Sequence, residues 1–459
     1  MRSFKIMMIA AVIVGLGSSA YAELQNVQVG GSIRIRGNWY DFDDTIGEVS
    51  FVEQRTTIDV TADFTDEVSA FIELDSYDIW GEDFRSDYVT GLDFRAASGD
   101  DVELYQAYIE AREMWGTALR ARIGRQELSF GSEWLLGVNN ASSIYQGLSF
   151  DGIRLTYATD VFSVDGFWTK LAERFGEFGD NDVDLIGLYG SYTGFEDIVV
   201  DLYWLYVRED EAPAGSGNIA ALPGIAGTDT DLHTIGLRGA GTIGAFDFEA
   251  EVAFQTGDVE RVNVLPWPFG TEDLDYSGLG VNLEGGYTFD MNWQPRVYLG
   301  FAYLEGGDND PADLFGFGGG GDLSFNRLFS NWEYSEFIEN TDLSNVFVYR
   351  AGVSAMPTES LSLLLALTYF TVDETTEVDF PASLFFDDGD DTLGWELGLY
   401  ADYQYSEDLV FRAGYAHFFG DDGLDALDGN LYTFNGLAGL ASDDDDDFDY
   451  LFWEAEISF

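Results

Sequence analysis

Arginine is the residue type in this sequence best suited to bind a charged partner, and it recurs at alternate positions. Arg34 and Arg36 stand two residues apart, and so do Arg120 and Arg122. In an extended strand, residues two apart project from the same face. A guanidinium keeps its charge and offers a planar fork of donors that fits a carboxylate. The spacing therefore predicts a charged strand face that could bind anionic groups.

The residues for other kinds of chemistry are scarce. The 459-residue chain has no Cys, which excludes disulfides, thiol chemistry and Cys-based metal sites. The two histidines, His233 and His417, are far apart in sequence, so a His-rich metal site is not expected. With 84 acidic against 21 basic residues, the chain repels phosphate backbones, and no nucleic-acid partner is expected. A hydrophobic content of 46% with 16% aromatics excludes a disordered chain.

The N-terminus has the layout of a secretory signal peptide. Two basic residues precede an apolar run at 6–16, and residues 20–22 form an Ala-x-Ala cleavage site. The run is too short for a permanent membrane helix, which needs roughly 18 residues. We therefore expect 1–22 to be a cleaved export signal and 23–459 to be one mature domain. The alternative, a buried N-terminal helix, leaves the flanking charges unexplained.

From residue 27 onward, apolar and polar residues alternate. Phe248, Val252 and Phe254 lie on one face of a strand, and Glu249 and Glu251 lie on the other. About eighteen such segments follow one another, each long enough to cross a bilayer core when tilted. They are 27–42, 51–63, 68–80, 101–111, 117–128, 148–157, 161–171, 183–193, 196–207, 232–241, 246–256, 276–288, 294–305, 346–355, 361–372, 393–404, 409–418 and 449–459.

Two architectures show this alternation, a soluble all-β fold and a transmembrane barrel. Strands of soluble sheets average about 5 to 6 residues, and these segments are about twice as long. Short turns alternate with long loops, and aromatic residues stand near the ends of the apolar faces, as in membrane girdles. These aromatics are Trp39, Tyr157, Trp168, Trp395, Tyr403, Trp453 and Phe459. We therefore predict an all-β fold, a transmembrane antiparallel β-barrel of about 18 strands with short periplasmic turns and long extracellular loops.

The C-terminus adds a partner to this prediction. Phe459 ends the chain, and apolar residues precede it at alternate positions. This pattern resembles the C-terminal signal that the barrel-assembly machinery reads. We expect that machinery and the lipid of a Gram-negative outer membrane to be partners of the chain.

If the apolar face meets lipid, the opposite face lines the lumen, and about half of the basic residues fall on it. The arginines of lumen parity are Arg34, Arg36, Arg55, Arg120, Arg122, Arg154, Arg238, Arg296, Arg350 and Arg412, with Arg125 close to them but of ambiguous parity. Many acidic residues share this face. The arginines could form stabilising ion pairs across neighbouring strands, or they could form a selectivity ladder for an anionic solute.

The long loops are acidic. The segments 373–392 and 419–448 contain no Lys or Arg. Clusters such as 387–391 could bind Ca²⁺ through carboxylate oxygens, but none has the spacing of a recognised calcium loop, so no cofactor is expected. The simpler interpretation is that the acids hydrate the loops. The glycine run 316–321 could let loop 306–345 fold into the lumen as a gate, although such runs are as often merely mobile.

Three short stretches resemble the alginate-export family of outer-membrane porins. They are Arg122 to Gly131 (RIGRQELSFG), Trp134 to Gly137 (WLLG) and Ser149 to Leu155 (SFDGIRL). The match is specific over about 115–157, and elsewhere the strand pattern and total length agree. The resemblance implies an eighteen-stranded barrel.

The resemblance also implies a positively charged constriction through which an anionic uronate polymer passes, with Arg125 and Arg154 in it. The residues implied to hold these arginines are Gln126, Glu127 and Asp151. Two features depart from the family. Members often carry a basic residue where this chain has Trp134, and the lumen face has more acids than a polyuronate channel would require.

The function expected first is a passive channel, a diffusion or export porin for an anionic or neutral saccharide, with no enzymatic step. A barrel phospholipase is a remote alternative, because His417 shares parity with the lipid-facing Phe411 and Tyr415. A histidine within an aromatic girdle is the simpler explanation of that placement. The third alternative is a plugged structural or adhesive barrel with acidic surface loops.

Overall fold

The structure of the protein is a computed structural model. It describes residues 25–42, 47–80, 102–140, 147–173, 175–176, 179–180, 182–209, 226–262, 274–307, 322–337, 343–375, 390–424 and 447–459. The expected signal peptide 1–22 and the glycine run 316–321 lie outside these residues.

Eighteen antiparallel strands form one closed barrel. They are β1 Asn26–Asp41, β2 Glu48–Thr65, β3 Val68–Ile79, β4 Glu103–Ala111, β5 Leu119–Gln126, β6 Phe150–Ala158, β7 Phe162–Ala172, β8 Val183–Phe195, β9 Ile198–Glu209, β10 Ala226–Ile243, β11 Phe246–Val262, β12 Leu279–Thr288, β13 Arg296–Leu304, β14 Val346–Thr358, β15 Leu361–Val372, β16 Thr392–Gln404, β17 Leu409–Gly420 and β18 Asp447–Ser458. Each coincides with a segment predicted from the alternation, so the predicted fold class is confirmed.

The barrel closes where β1 pairs with β18. Ser32 lies opposite Ser458, and Asp41 lies opposite Asp449. At the end of this seam, the Phe459 amide donates to the Gly31 carbonyl at 3.0 Å, and the Gly31 amide donates to the Phe459 carbonyl at 3.1 Å. Closure leaves no unpaired strand edge, which a sheet in lipid requires.

Burial in this barrel is the reverse of that in a soluble protein. Leu202 and Leu299 are 62% and 71% exposed on the outside, whereas Glu251 and Glu454 are 5% and 1% exposed on the inside. An apolar outer face and a polar inner face are what a lipid environment selects. Within the described ranges, no helix is long and apolar enough to cross a membrane.

The two ends of the barrel differ. At the turn end, tight turns such as 66–67 and 405–408 join consecutive strands. At the loop end most connections are longer, although only residues 42–47 join β1 to β2. Exposed aromatics mark both ends, with Trp293 and Tyr405 at the turn end and Trp168 and Trp395 at the loop end. These residues form two girdles of the kind found at membrane interfaces.

Two connections fold into the barrel and pair with each other. The first inward segment, 127–140, follows β5, and the second inward segment, 322–337, precedes β14. The Gly137 amide donates to the Phe329 carbonyl at 2.8 Å, and the Phe329 amide donates to the Leu135 carbonyl at 2.9 Å. Residues 322–337 of loop 306–345 therefore lie inside the barrel, whereas the glycine run that prompted the gate hypothesis lies outside the described residues. The pairing with 127–140 was not predicted.

The inward segments reach opposite walls of the barrel. Arg34 on β1 donates to the Asn140 carbonyl at 2.9 Å, and the Gln255 side chain on β11 donates to the Asn326 carbonyl at 2.6 Å. In a ring of eighteen strands, β1 and β11 are nearly opposite, and such a barrel is about 35 Å wide. The paired segments thus cross the lumen and narrow the open path through it.

Trp134 anchors the first inward segment. Its side chain is fully buried and stacks on Phe325 with 5.7 Å between ring centroids. Its indole Nε1 donates to the Tyr334 hydroxyl at 2.8 Å, and Tyr334 donates to the Asn282 amide oxygen of β12 at 3.1 Å. An indole that is both buried and hydrogen-bonded fixes the segment firmly.

Candidate functional site

The lumen wall carries a belt of ion pairs, and the predicted arginines supply its positive charges. All of the predicted set except Arg125 occupy strand positions that face inward, opposite in parity to exposed aliphatics such as Ile123. Carboxylates on adjacent strands bind most of them. Strand alternation places these residues, because a side chain of lumen parity can reach a partner only on the neighbouring strand or on an inward segment.

Glu454 is the centre of the densest part of the belt. It is 1% exposed and accepts hydrogen bonds at 2.9 Å from Arg34 Nε and from Arg36 Nε. Arg412 Nη1 binds the other oxygen of the same carboxylate. Three guanidinium groups therefore share one buried carboxylate, and Arg412 Nη1 also lies 2.6 Å from Glu456.

Two arginine pairs face each other across neighbouring strands. Arg34 on β1 lies directly opposite Arg55 on β2, and Arg122 on β5 lies directly opposite Arg154 on β6. Like charges in this position repel. The acids that offset these arginines lie on the lumen face of the two strands that flank each pair. Across four neighbouring strands the order is therefore acid, arginine, arginine, acid, and this order occurs twice.

The acids that flank the two pairs bind at short distances. Arg55 lies 2.8 Å from Asp75, and Arg122 and Arg154 lie 2.8 Å from Glu110 and Asp165 respectively. Each of these acids thus binds one arginine of a pair from the strand on the side away from the other arginine. The four arginine side chains are 10–22% exposed, and the first inward segment contacts two of them, through the Asn140 carbonyl on Arg34 and the Phe130 ring on Arg154.

On the opposite side of the lumen, the arginines also have carboxylate partners. Arg238 lies within 4 Å of Asp201, Glu249 and Glu251. On β13 and β14, Arg296 and Arg350 share Glu284, which lies 2.9 Å from Arg296 but 3.6 Å from Arg350. Within the described residues, Arg120 makes no hydrogen bond and no ion pair. Arg120 and Arg350 are therefore the least neutralised cations of the belt.

The structure corrects the position of Arg125. It shares the parity of Ile123, which is 53% exposed on the outer face, and register is continuous through Gln126. Arg125 does bind Asp151, with Nε to Oδ1 at 2.8 Å and Nη2 to Oδ2 at 2.9 Å. Both side chains, however, point away from the lumen, so neither lies in a constriction.

Gln126 and Glu127, predicted to hold the arginines, contact other groups. The Gln126 amide is fully buried and donates to the Gly124 carbonyl at 3.2 Å. Glu127 accepts a hydrogen bond from the Tyr105 hydroxyl at 2.7 Å, and burial raises the pKa of its carboxyl. Arg154 is bound by Asp165 instead. The belt rests on cross-strand acids that the resemblance did not indicate.

The second inward segment carries a carboxyl group of its own. Burial raises the pKa of Glu336, although Arg36 and the Tyr400 hydroxyl oppose the shift. The Glu336 amide donates to the Glu396 carboxylate on β16 at 3.1 Å, and the Ser335 hydroxyl binds the same carboxylate. This contact ties the segment to the wall in addition to those of Asn326 with Gln255 and of Tyr334 with Asn282.

His417 lies on the outer face of the barrel and pairs with an aspartate of the next strand. The His417 Nδ1 lies 2.8 Å from Asp449, on the outer face beside Tyr415. No group of three or more His, Asp or Glu residues is placed to hold a metal ion within the described ranges. The segments 376–389 and 425–446, which carry part of the acidic clusters, lie wholly outside those ranges.

Solved structures with the same fold are porins. OccAB1 of Acinetobacter baumannii matches with a TM-score of 0.57 and 12% identity, covering 97% of this chain and 99% of that one. A BenF-like porin of Pseudomonas fluorescens Pf-5 matches with a TM-score of 0.54 and 10% identity, covering 95% and 100%. At these identities the likeness shows the fold alone. Among curated proteins, none matches the chain significantly.

The family is shown by the sequence match. Residues 25–433 match the alginate export family, which covers nearly all of the barrel. Together with the porin fold, this match supports an outer-membrane channel. The chain belongs to the alginate export family of outer-membrane barrels.

Proposed function

We propose that the barrel is a passive outer-membrane channel for an anionic or neutral saccharide, with a uronate polymer as the anionic candidate. The loop end then faces the cell exterior and the turn end faces the periplasm, as in bacterial barrels generally. The export signal 1–22 is removed on the way. The barrel-assembly machinery inserts the chain by reading its C-terminal strand, which ends in Phe459.

The observation that carries the substrate proposal is the occurrence of two facing arginine pairs on the lumen wall. Arg34 and Arg55 form one pair, and Arg122 and Arg154 form the other. A uronate carries one carboxylate on each sugar ring, and a guanidinium binds it through two parallel hydrogen bonds. Two such places on one wall can hold a polymer at more than one point.

The flanking acids keep this binding weak, which a channel needs. Conduction requires sites that attract the solute but release it again. Because Asp75, Glu110 and Asp165 already neutralise their arginines, an incoming carboxylate must compete with a carboxylate at each site. Neutral sugar hydroxyls can bind both partners of such ion pairs, so the same wall also suits a neutral saccharide.

A plugged barrel is the second candidate, because the inward segments join opposite walls. The contacts of Asn140 with Arg34 and of Asn326 with Gln255 span the lumen. A barrel sealed in this way would serve a structural or adhesive role through its acidic loops. Such a barrel would conduct no ions, whereas a channel would.

Electrical recording of the purified full chain tests both candidates. In planar bilayers we expect open channels whose current is blocked by added uronate oligomers and much less by neutral oligomers of equal length. A double variant, R122Q/R154Q, should weaken the uronate block. An absence of conductance would refute the channel, and an unchanged block in the variant would refute the role of the arginine pair.

A further inference from the structure

Two aromatic rings stand side by side on the lumen wall near the turn end of the barrel. Phe71 on β3 lies directly opposite Tyr108 on β4, and their ring centroids are 5.1 Å apart with 24° between the ring planes. Phe71 is three residues from the first residue of β3, and Tyr108 is three residues from the last residue of β4. The stacked pair therefore lies close to the turn-end mouth of the barrel.

Both rings face the lumen, and both residues are partly exposed. Alternation sets this face, because the next residues along the two strands, Ile72 and Ile109, are exposed on the outside of the barrel. The neighbours of Phe71 on the lumen face of β2 and β3 are polar, namely Asp59, Thr61, Asp63, Ser69 and Glu73. Contact of an apolar ring with water is unfavourable, so a ligand that covers the Phe71 ring would gain free energy.

Arg122 adds hydrogen-bond donors beside the rings. Its guanidinium carbon lies 4.2 Å from the centre of the Tyr108 ring. An arginine has five N–H donors, and within the described residues Arg122 uses two of them, Nε at 3.1 Å and Nη2 at 2.8 Å, both on Glu110. Its side chain is 22% exposed. The remaining donors are thus available for a ligand in the lumen.

Arg120 lies on the same lumen face, two residues nearer the turn end. Positions two residues apart on a strand stand about 7 Å from each other. Arg120 is partly exposed, and it has no ion pair within the described part of the chain. By contrast, Arg122 shares Glu110 with Arg112 of the following turn. Arg120 is therefore the arginine of this group that lacks a carboxylate partner.

Carboxylates also occur at this mouth. Asp63 shares the lumen face with Glu110, and Asp66, Glu67 and Glu113 lie in the neighbouring turns. These acids repel an anion. Net charge therefore does not favour an anion here, and recognition has to come from direct contact with the rings and the guanidinium groups.

A uronate ring matches both kinds of group. One face of a pyranose presents C–H groups, and the negative face of an aromatic ring attracts them. The carboxylate of the same sugar accepts hydrogen bonds from a guanidinium. The sugar hydroxyls can bond to the hydroxyl groups of Thr61 and Ser69, which border Phe71. A sugar that carries a carboxylate thus uses the apolar and the basic part of this wall together.

We propose that Phe71, Tyr108, Arg120 and Arg122 form a subsite for one uronate ring at the turn-end mouth. The sugar stacks on the Phe71 ring, which Tyr108 supports, and its carboxylate binds Arg120, with Arg122 as the next donor along the wall. Because Arg122 also faces Arg154 on β6, this turn-end subsite adjoins one of the two facing arginine pairs. The inference rests on the proposed saccharide channel and adds a specific place at which a sugar is bound.

The test measures binding of uronate trimers and of neutral sugar trimers to the purified full chain in neutral detergent, by isothermal titration calorimetry. F71L removes the ring but keeps an apolar side chain, and we expect it to bind both trimers about threefold more weakly or worse. R120Q should bind the uronate trimer about tenfold more weakly and the neutral trimer as the wild type does. F71Y retains the ring and should bind both trimers as the wild type does.

The matched controls carry the same substitutions on the outer face of the barrel. F246L lies at the turn end of β11 and R208Q lies on β9, and both residues are exposed there. We expect both controls to bind the two trimers as the wild type does. Folding is checked by heat-modified migration on a gel, and R120Q decides the test if F71L fails to fold.

Three results would overturn the proposal. The first is wild-type affinity for both trimers in F71L, which would show that no sugar stacks on the ring. The second is wild-type affinity for the uronate trimer in R120Q, which would show that the carboxylate binds elsewhere. The third is a wild-type barrel that binds neither trimer.

Failure of the channel and failure of the turn-end subsite give different results. A barrel that carries no current but shows the expected binding would refute the channel alone. A conducting barrel would refute the subsite alone if R122Q/R154Q weakens the uronate block while F71L and R120Q bind both trimers as the wild type does.

Discussion

Neutralising Glu454 should destabilise the barrel more than neutralising Glu456 two residues away on the same face. The Glu454 side chain has no solvent exposure. It accepts hydrogen bonds from three guanidinium groups, those of Arg34, Arg36 and Arg412. Removing one partner of a buried ion pair costs about 3–5 kcal/mol. We expect E454Q to lower the free energy of unfolding by about 3 kcal/mol, the lower end of this range. The loss is limited because Arg412 still has Glu456 at 2.6 Å and Arg36 still has the Phe452 ring at 4.4 Å.

The matched control for this experiment is E456Q. The Glu456 and Arg412 side chains are 30% and 31% exposed, and an exposed pair contributes about 0–1 kcal/mol. Equilibrium unfolding in guanidinium chloride, followed by tryptophan fluorescence in detergent, gives both free energies of unfolding. Equal losses of unfolding free energy in E454Q and E456Q would show that burial of the shared carboxylate does not increase its contribution to stability.

The remaining predictions concern the lumen. R154Q should lower the preference for anions in the reversal potential measured across a KCl gradient, whereas R125Q should leave it unchanged because Arg125 faces outward. W134A should lower the free energy of unfolding by about 3–5 kcal/mol, since Trp134 is fully buried, and should increase current fluctuations as the inward segments loosen. Because the pKa of Glu336 is raised, the second inward segment should be held most firmly below about pH 4.3 and less firmly as pH rises through the raised pKa. The pH dependence of current fluctuations should then disappear in E336Q.

The strands could be predicted because alternation is a local property. Residues such as Phe248, Glu249 and Glu251 reveal their faces within a few positions, and all eighteen strands follow from that pattern. The same alternation places Arg125 on the outer face, because Arg125 stands two residues after the outward-facing Ile123. The family resemblance had instead implied that Arg125 lies in the constriction. For this residue, the alternation along β5 predicts the face better than the resemblance does.

The narrowing of the lumen by the two inward segments could not be predicted from alternation. Trp134 binds Tyr334, which lies 200 residues further along the chain, and Asn331 binds Glu133 across a similar distance. No local period encodes such contacts. The one available signal was the apolar run Trp134 to Leu136 within a long connection, because a loop exposed to water has little use for three bulky apolar residues in succession.

The pairing of the lumen charges was likewise left open by the sequence. Parity showed which arginines face inward, but not that Arg34 and Arg55 stand directly opposite each other. Register in a closed barrel depends on the stagger of all the strands together, so a single strand cannot fix it. Whether the lumen arginines form ion pairs or a selectivity ladder therefore depends on the three-dimensional register. In the structure, the belt contains both neutralised and weakly neutralised arginines.

The most direct test is thiol labelling of adjacent positions on β6, which the absence of Cys from the chain makes specific. R154C and I153C are treated with a membrane-impermeant, negatively charged thiol reagent during single-channel recording. We expect R154C to react and its current to fall, while I153C in the lipid face is unaffected. Modification of I153C with no reaction at R154C would contradict the assignment of lumen and lipid faces.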